Sequence, residues 1–395
     1  MINLRKALIM LSTNIALAAF LAKMLQWELV VTLLFALSFV CVLLTYVLVI
    51  VERQRIKAVD ILMVSIMALS VTTAGLQTSF DYYKPAIIVF CTIICLDMSI
   101  FDLTDAIDRK KLLYRFALVA IVINVLYHFG GLKEVYYGTT EAITLNLTNP
   151  NETGMWLACL VVILINGAFE TVRRVDKIIF VACAVSLIPI LFRTLARASL
   201  IAVLIFVIIR GVLLFKKINR LPGWVISIFA VSPIIAYVAY MYIFMPNFSM
   251  LSEWFAFWRW EGKGLDSRFW IWSLIERDAR ECMWLGQYDV YHTEQLHNAL
   301  GTLFVRFGLP FVIIVCRKFC RAVKQYADVI PQITMCCMWL IGCFETAFFT
   351  GANGLYLLIL ILPVFGYKRV REESVPTTKK FVLKQGKSLA ESSCK

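Results

Sequence analysis

The chain has 395 residues, of which 61% are hydrophobic and 16% charged, against about 45–50% apolar and about 25% charged in a soluble domain. With a mean hydropathy of +0.80, a soluble fold has no interior large enough to hide the apolar surface. The net charge of +13 is scattered in short clusters between apolar runs, a pattern that orients membrane spans and argues against nucleic-acid binding.

The chain therefore reads as an all-α polytopic membrane protein, with the lipid bilayer as an obligate partner. At ~20 residues per crossing, the apolar runs predict about twelve transmembrane helices, near 4–22, 28–51, 61–76, 85–101, 116–130, 154–171, 178–192, 199–215, 224–245, 299–316, 330–350 and 354–367. The first run lacks a small-residue cleavage site, and a second run follows at once, so it reads as a span and not as a cleaved signal. The bundle occupies 1–367, and a basic, Ser- and Lys-rich tail at 368–395 is expected to be disordered.

Every second loop is basic. The series runs Arg53, Arg55 and Lys57; Arg109, Lys110, Lys111 and Arg115; Arg173, Arg174 and Lys177; Lys216, Lys217 and Arg220; then Arg317, Lys318, Arg321 and Lys324. That alternation predicts both termini in the cytoplasm. Most of the cysteines lie inside apolar runs, where they act as small hydrophobes and not as a disulfide framework.

Two segments on the expected outer side keep arginines against the orientation rule. One is the short turn Phe192-Arg193-Thr194-Leu195-Ala196-Arg197 between spans 7 and 8. The other is the long loop 246–298 between spans 9 and 10, with Arg259, Lys263, Arg268, Arg277 and Arg280. Guanidinium groups bind phosphate oxygens at two points, so arginines placed there point to an anionic ligand. The loop holds an aromatic cluster at Trp254–Trp260. From Asp266 its apolar residues Phe269, Trp272, Ile275 and Ala279 recur at helical steps, which predicts an amphipathic helix over the mouth of the bundle.

The chain has three histidines, His128, His292 and His297. His292, Glu294 and His297 do not have the spacing of a standard zinc site, so no metal is expected. Arg306 in span 10 and Glu345 in span 11 are ionisable groups within apolar runs, which mark functional cavities, and a pair between them is expected. Arg193, Arg197, Arg268, His297 and Arg306 then line one cationic cavity suited to a lipid-linked phosphate.

Four stretches resemble one family. Asn149-Pro150-Asn151-Glu152-Thr153-Gly154 opens span 6. Ala196-Arg197-Ala198-Ser199-Leu200 opens span 8. Arg268 and Trp272 stand one turn apart in the long loop, and His297-Asn298 precedes Gly308-Leu309-Pro310. In this order they are similar to motifs of the O-antigen ligase and O-antigen polymerase superfamily, a bacterial envelope family with a GT-C-like fold. One departure is Gly286-Gln287-Tyr288, where many relatives read Gly-x-Gly.

The resemblance implies a multi-pass enzyme of the bacterial cytoplasmic (inner) membrane. Its activity would be metal-independent and cofactor-free transfer of an undecaprenyl-diphosphate-linked oligosaccharide at the outer face. The acceptor is a glycan, for a polymerase of O-antigen, capsule or exopolysaccharide, or lipid A–core, for a ligase. A flippase and a chain-length regulator are the implied partners. Arg197, Arg268 and His297 take the catalytic roles: the arginines hold the diphosphate, and the histidine stands near the acceptor hydroxyl. Arg193, Arg306, Asn298, Asn151, Trp272 and Glu345 are the expected substrate-binding residues. The asparagine motif and the Gly262–Arg268 approach favour the polymerase. The reading outside this family is an organic-anion transporter, which would hold its arginines nearer the bilayer midplane.

Overall fold

The computed structural model describes residues 2–53, 58–73, 80–98, 106–129, 134–137, 140–147, 149–215, 218–254, 268–291, 296–326 and 328–345. The expected twelfth span and the basic tail lie outside the described residues. So do most of the aromatic cluster, Arg259, Lys263, His292 and Glu294.

The first nine helices follow the apolar runs. They are α1 (Ile2–Met24), α2 (Glu28–Arg53), α3 (Ala58–Thr72), α4 (Phe80–Met98), α5 (Ala106–Phe129), α6 (Pro150–Glu170), α7 (Arg174–Arg193), α8 (Arg197–Phe215) and α9 (Gly223–Ala239). A π-helical turn, Tyr240–Phe244, extends α9. The long loop contains α10 (Phe248–Trp254), α11 (Phe269–Arg277) and α12 (Tyr288–Tyr291). After it come α13 (Ala299–Phe307), α14 (Leu309–Gln325), α15 (Val329–Trp339) and a 3-10 turn, Leu340–Cys343. Among the described residues, six helices are long and apolar enough to cross a membrane, and three shorter apolar ones accompany them. The chain is a multi-pass helical membrane protein.

α6 is the central helix. Of its apolar window 89% is buried, against 28% for α2 and for α9, so it faces protein nearly all round. Its start is set locally. Asn149 accepts hydrogen bonds from the backbone N–H groups of Asn151 and Glu152, and Pro150 occupies the first turn, where its missing N–H costs nothing. Lys23 at the end of α1 pairs with Glu152 at 2.6 Å, which ties the α1–α2 hairpin to the start of α6.

Three features depart from the sequence expectation. The loop before α6 forms a β-hairpin, β1 (Glu134–Tyr137) with β2 (Thr140–Ile143), in antiparallel register with Val135 opposite Ala142. The strands are rich in Val, Tyr, Thr and Ile, residues that favour extended chain.

The expected single span at 299–316 is two helices. Gly308 separates α13 from α14 with φ +84, and Pro310 has no N–H to continue the earlier helix. Leu309 N–H instead donates to Met283 O at 2.9 Å, and Gln287 N–H donates to Val305 O at 2.6 Å. A Cβ on Gly308 would lie 2.2 Å from Trp284 O, and one on Gly286 would lie 2.3 Å from the Arg306 carbonyl carbon. The two glycines let the loop backbone lie directly against the break.

α14 also runs on through residues expected in a basic loop. Lys318 is buried there, and its ammonium donates to Asp60 on α3.

A second brace comes from Tyr288. Its hydroxyl donates to Tyr82 O at 2.6 Å and accepts from Ala86 N–H at 3.2 Å. It thus stands between the two groups that would otherwise bond to each other within α4, next to Pro85. A group inserted into the i to i−4 ladder is a recognised cause of a helix bend.

Candidate functional site

The site begins at the turn between α7 and α8. Thr194 is buried; its hydroxyl donates to Leu191 O at 2.7 Å and accepts from Ala196 N–H at 3.3 Å. Leu195 takes a left-handed φ of 55, costly for a residue with a branched side chain. The turn therefore joins α7 to α8 within three residues and delivers Arg197 as the first residue of α8. Its closeness to α6 depends on Gly154, where an added Cβ would stand 2.2 Å from Ala196 Cβ. The asparagine motif and the arginine motif thus meet at this contact. Ala196 sits at its tightest point.

Arg268 occupies the N-terminal cap position of α11. Its Nη2 donates to Glu345 Oε1 at 2.9 Å. The other carboxylate oxygen, Oε2, lies 3.0 Å from His297 Nδ1. Glu345 is buried and follows the 3-10 turn, its N–H donating to Ile341 O at 3.0 Å. Arg197 and Arg268 lie close enough for their charges to repel. The site thus has two neighbouring guanidinium groups, one carboxylate, and one imidazole held by that carboxylate. With a neutral imidazole the four side chains carry one surplus positive charge. A bound anion would relieve the arginine repulsion, as opposite charge favours both cations.

His297 is itself in a left-handed conformation, with φ 51. Its neighbours hold it there. Asn298 caps α13, accepting from Gly301 N–H at 2.7 Å. The Asn298 amide also donates to Pro233 O at 2.8 Å and to Cys343 O at 3.1 Å. Trp272 is fully buried, and its Nε1–H donates to Leu296 O at 2.8 Å. The same indole stacks on Phe344, with ring centroids 5.7 Å apart and planes 19° apart, and meets Tyr240 edge-on at 4.9 Å. One tryptophan therefore grips the residue before His297 and the residue before Glu345.

The residues singled out in sequence divide into three groups. Arg197, Arg268, His297 and Glu345 come together. Trp272 and Asn298 belong to the scaffold around them, since their polar atoms are engaged with backbone groups. Arg306 does not pair with Glu345 as expected. It is buried at the end of α13, and its Nε donates to Tyr291 O at 2.8 Å. Rotating it toward Glu345 would strip a hydrogen bond from a buried carbonyl. Arg193 is also elsewhere. It is exposed at the end of α7, with Glu141 of β2 and the Tyr127 hydroxyl as its partners. Asn151 lies in the first turn of α6, its backbone N–H on Asn149 Oδ1 at 2.8 Å.

The sequence reading singled out Glu345 but expected Arg306 as its partner, because its contacts with Arg268 and His297 carry no spacing signal. It missed two contributors. Tyr240, which packs edge-on against Trp272, reads only as part of an apolar span. Tyr242 donates to Glu276 Oε1 at 2.9 Å and so tethers α11 to the end of α9. Its signal was the density of tyrosines at 237–242.

Comparison with protein-family models, with curated proteins and with solved structures finds no match.

Proposed function

We propose that the chain is a metal-independent membrane glycosyltransferase that moves a glycan from an undecaprenyl-diphosphate donor to an acceptor sugar, most closely as a polymerase of O-antigen, capsule or exopolysaccharide. The observation that carries the reading is Arg197 within electrostatic reach of Arg268, with His297 held by the carboxylate that also holds Arg268. Two guanidinium groups suit a diphosphate, because each planar fork meets two phosphate oxygens. A leaving diphosphate gains charge as its bond to the sugar breaks, and preformed cations stabilise that charge without rearrangement. The imidazole is then the group suited to take the proton of the attacking hydroxyl.

The reading includes twelve crossings in a GT-C-like arrangement, with both termini in the cytoplasm. The Arg197 end of the bundle then faces outward in a bacterial inner membrane. The alternation of basic loops supports that orientation. The four ordered motifs support the O-antigen ligase and polymerase superfamily. Ligation to lipid A–core is the second activity this site chemistry accommodates.

The test is incubation of the purified chain in lipid with a defined undecaprenyl-diphosphate oligosaccharide, with and without lipid A–core. Ladders of product without the core support the polymerase. A single product that needs the core makes it a ligase. Uptake of an organic anion into vesicles without any glycan product would refute both.

A further inference from the structure

We propose that Glu345 is a positioning residue that fixes His297 in the Nδ1–H tautomer, leaving Nε2 as the proton acceptor for the incoming hydroxyl. The inference rests on the glycosyltransferase reading and adds to it the atom that takes the proton and the group that selects that atom.

A carboxylate only accepts. The Glu345 carboxylate accepts from Arg268 on Oε1 at 2.9 Å, so the 3.0 Å contact at Oε2 places a proton on His297 Nδ1. In the neutral ring the remaining nitrogen, Nε2, is then a bare acceptor. The ring cannot turn away easily, because its backbone is set on both sides. Trp272 holds Leu296 O, and Asn298 spans to Pro233 O and Cys343 O.

The carboxylate is set by the same two residues. Trp272 stacks on Phe344, and Asn298 bonds Cys343 O. The left-handed φ of 51 at His297 adds weight, since such conformations persist only where the surroundings over-determine them.

The step balances simply. The acceptor oxygen bonds to the anomeric carbon as that carbon's bond to the diphosphate oxygen breaks. The electron pair leaves with the lipid diphosphate, beside Arg197 and Arg268. The hydroxyl proton passes to Nε2, and the resulting imidazolium keeps its Nδ1–H on Glu345. The carboxylate also gives Arg268 a resting partner that a diphosphate can displace, so removing it does not weaken the anion site.

Two measurements on the full-length protein test this. Nitrogen-15 labelling of histidine gives signals from three residues, with that of His297 identified by its loss in His297→Gln. The expected signal in the neutral ring is a protonated Nδ1 and a bare Nε2. Glu345→Gln should abolish that preference, because an amide can present either a donor or an acceptor. The same variant should lower kcat by ~10²-fold or more while donor affinity stays unchanged or tightens. A purely architectural Glu345 would instead weaken donor binding and turnover together, and that result overturns the proposal. So does a wild-type His297 protonated at Nε2. Wild-type protein with the expected tautomer but no glycan transfer overturns the glycosyltransferase reading and leaves the tautomer assignment standing.

Discussion

Gly154→Ala is the substitution whose consequence can be worked furthest from the structure. Alone, the change should help, since alanine is favoured over glycine inside a helix by about 1 kcal/mol. The new Cβ, however, would stand 2.2 Å from Ala196 Cβ, about 1.2 Å short of ordinary contact at 3.4 Å. Thr194 Oγ1 at 3.1 Å and Ser199 Oγ at 3.3 Å leave it no sideways escape. Either α6 or the α7–α8 turn has to move by about an ångström. α6 is buried nearly all round, so the turn is the softer partner, and Arg197 moves with it. Overpacking of this kind costs ~1–3 kcal/mol, which the helix propensity partly offsets, for a net loss of up to ~2 kcal/mol. A 1 Å misplacement of a substrate-positioning group can cost ~10²-fold in rate, so turnover should suffer more than stability. The assay pairs glycan transfer with denaturant unfolding for Gly154→Ala, Ala196→Gly and the double variant. Ala196→Gly removes the colliding carbon, so the double variant should regain most of the lost activity. Wild-type turnover in Gly154→Ala, or no recovery in the double variant, would refute the argument that this contact sets Arg197.

Four further outcomes are expected. Arg197→Lys should weaken donor binding and turnover together, because an ammonium keeps the charge but loses the two-point contact; equilibrium binding of the lipid-linked donor checks it. His297→Ala should slow transfer by ~10²–10⁴-fold with donor binding nearly intact, and near-normal transfer would remove histidine from the mechanism. Activity should survive EDTA, since the cations belong to the protein, and a strict need for Mg²⁺ or Mn²⁺ would contradict the arginine clamp. Tyr288→Phe should cost ~1 kcal/mol in unfolding experiments, as α4 loses the hydroxyl bridging Tyr82 O and Ala86 N–H; an unchanged unfolding midpoint would show that α4 closes its own bond instead.

Much of this protein follows from local sequence. Hydropathy alone places the chain in a bilayer, because the free energy of burying an apolar run depends on the run and scarcely on its neighbours. The starts of α6 and α13 are equally local, each resting on an asparagine cap and the N–H groups within the next three residues. Arg197 and Arg268 stood out because arginines against the expected charge alternation are conspicuous, and His297 because histidine is rare in this chain, and the structure gathers these three. What the tertiary structure decided are the partnerships across long separations. Glu345 meets residues 48 and 77 positions away, and no periodicity reports such a contact. Arg306 has the same residue type and apolar surroundings that made it a candidate for Glu345, yet a carbonyl at Tyr291 claims it. The break at Gly308 was visible as a Gly-Leu-Pro triplet, but an apolar window averages over it. The break became necessary only once the loop backbone at Trp284 packed where a side chain would otherwise stand. Composition and pattern report the solvent each segment prefers. Which polar groups satisfy one another within that solvent is a property of the packed bundle.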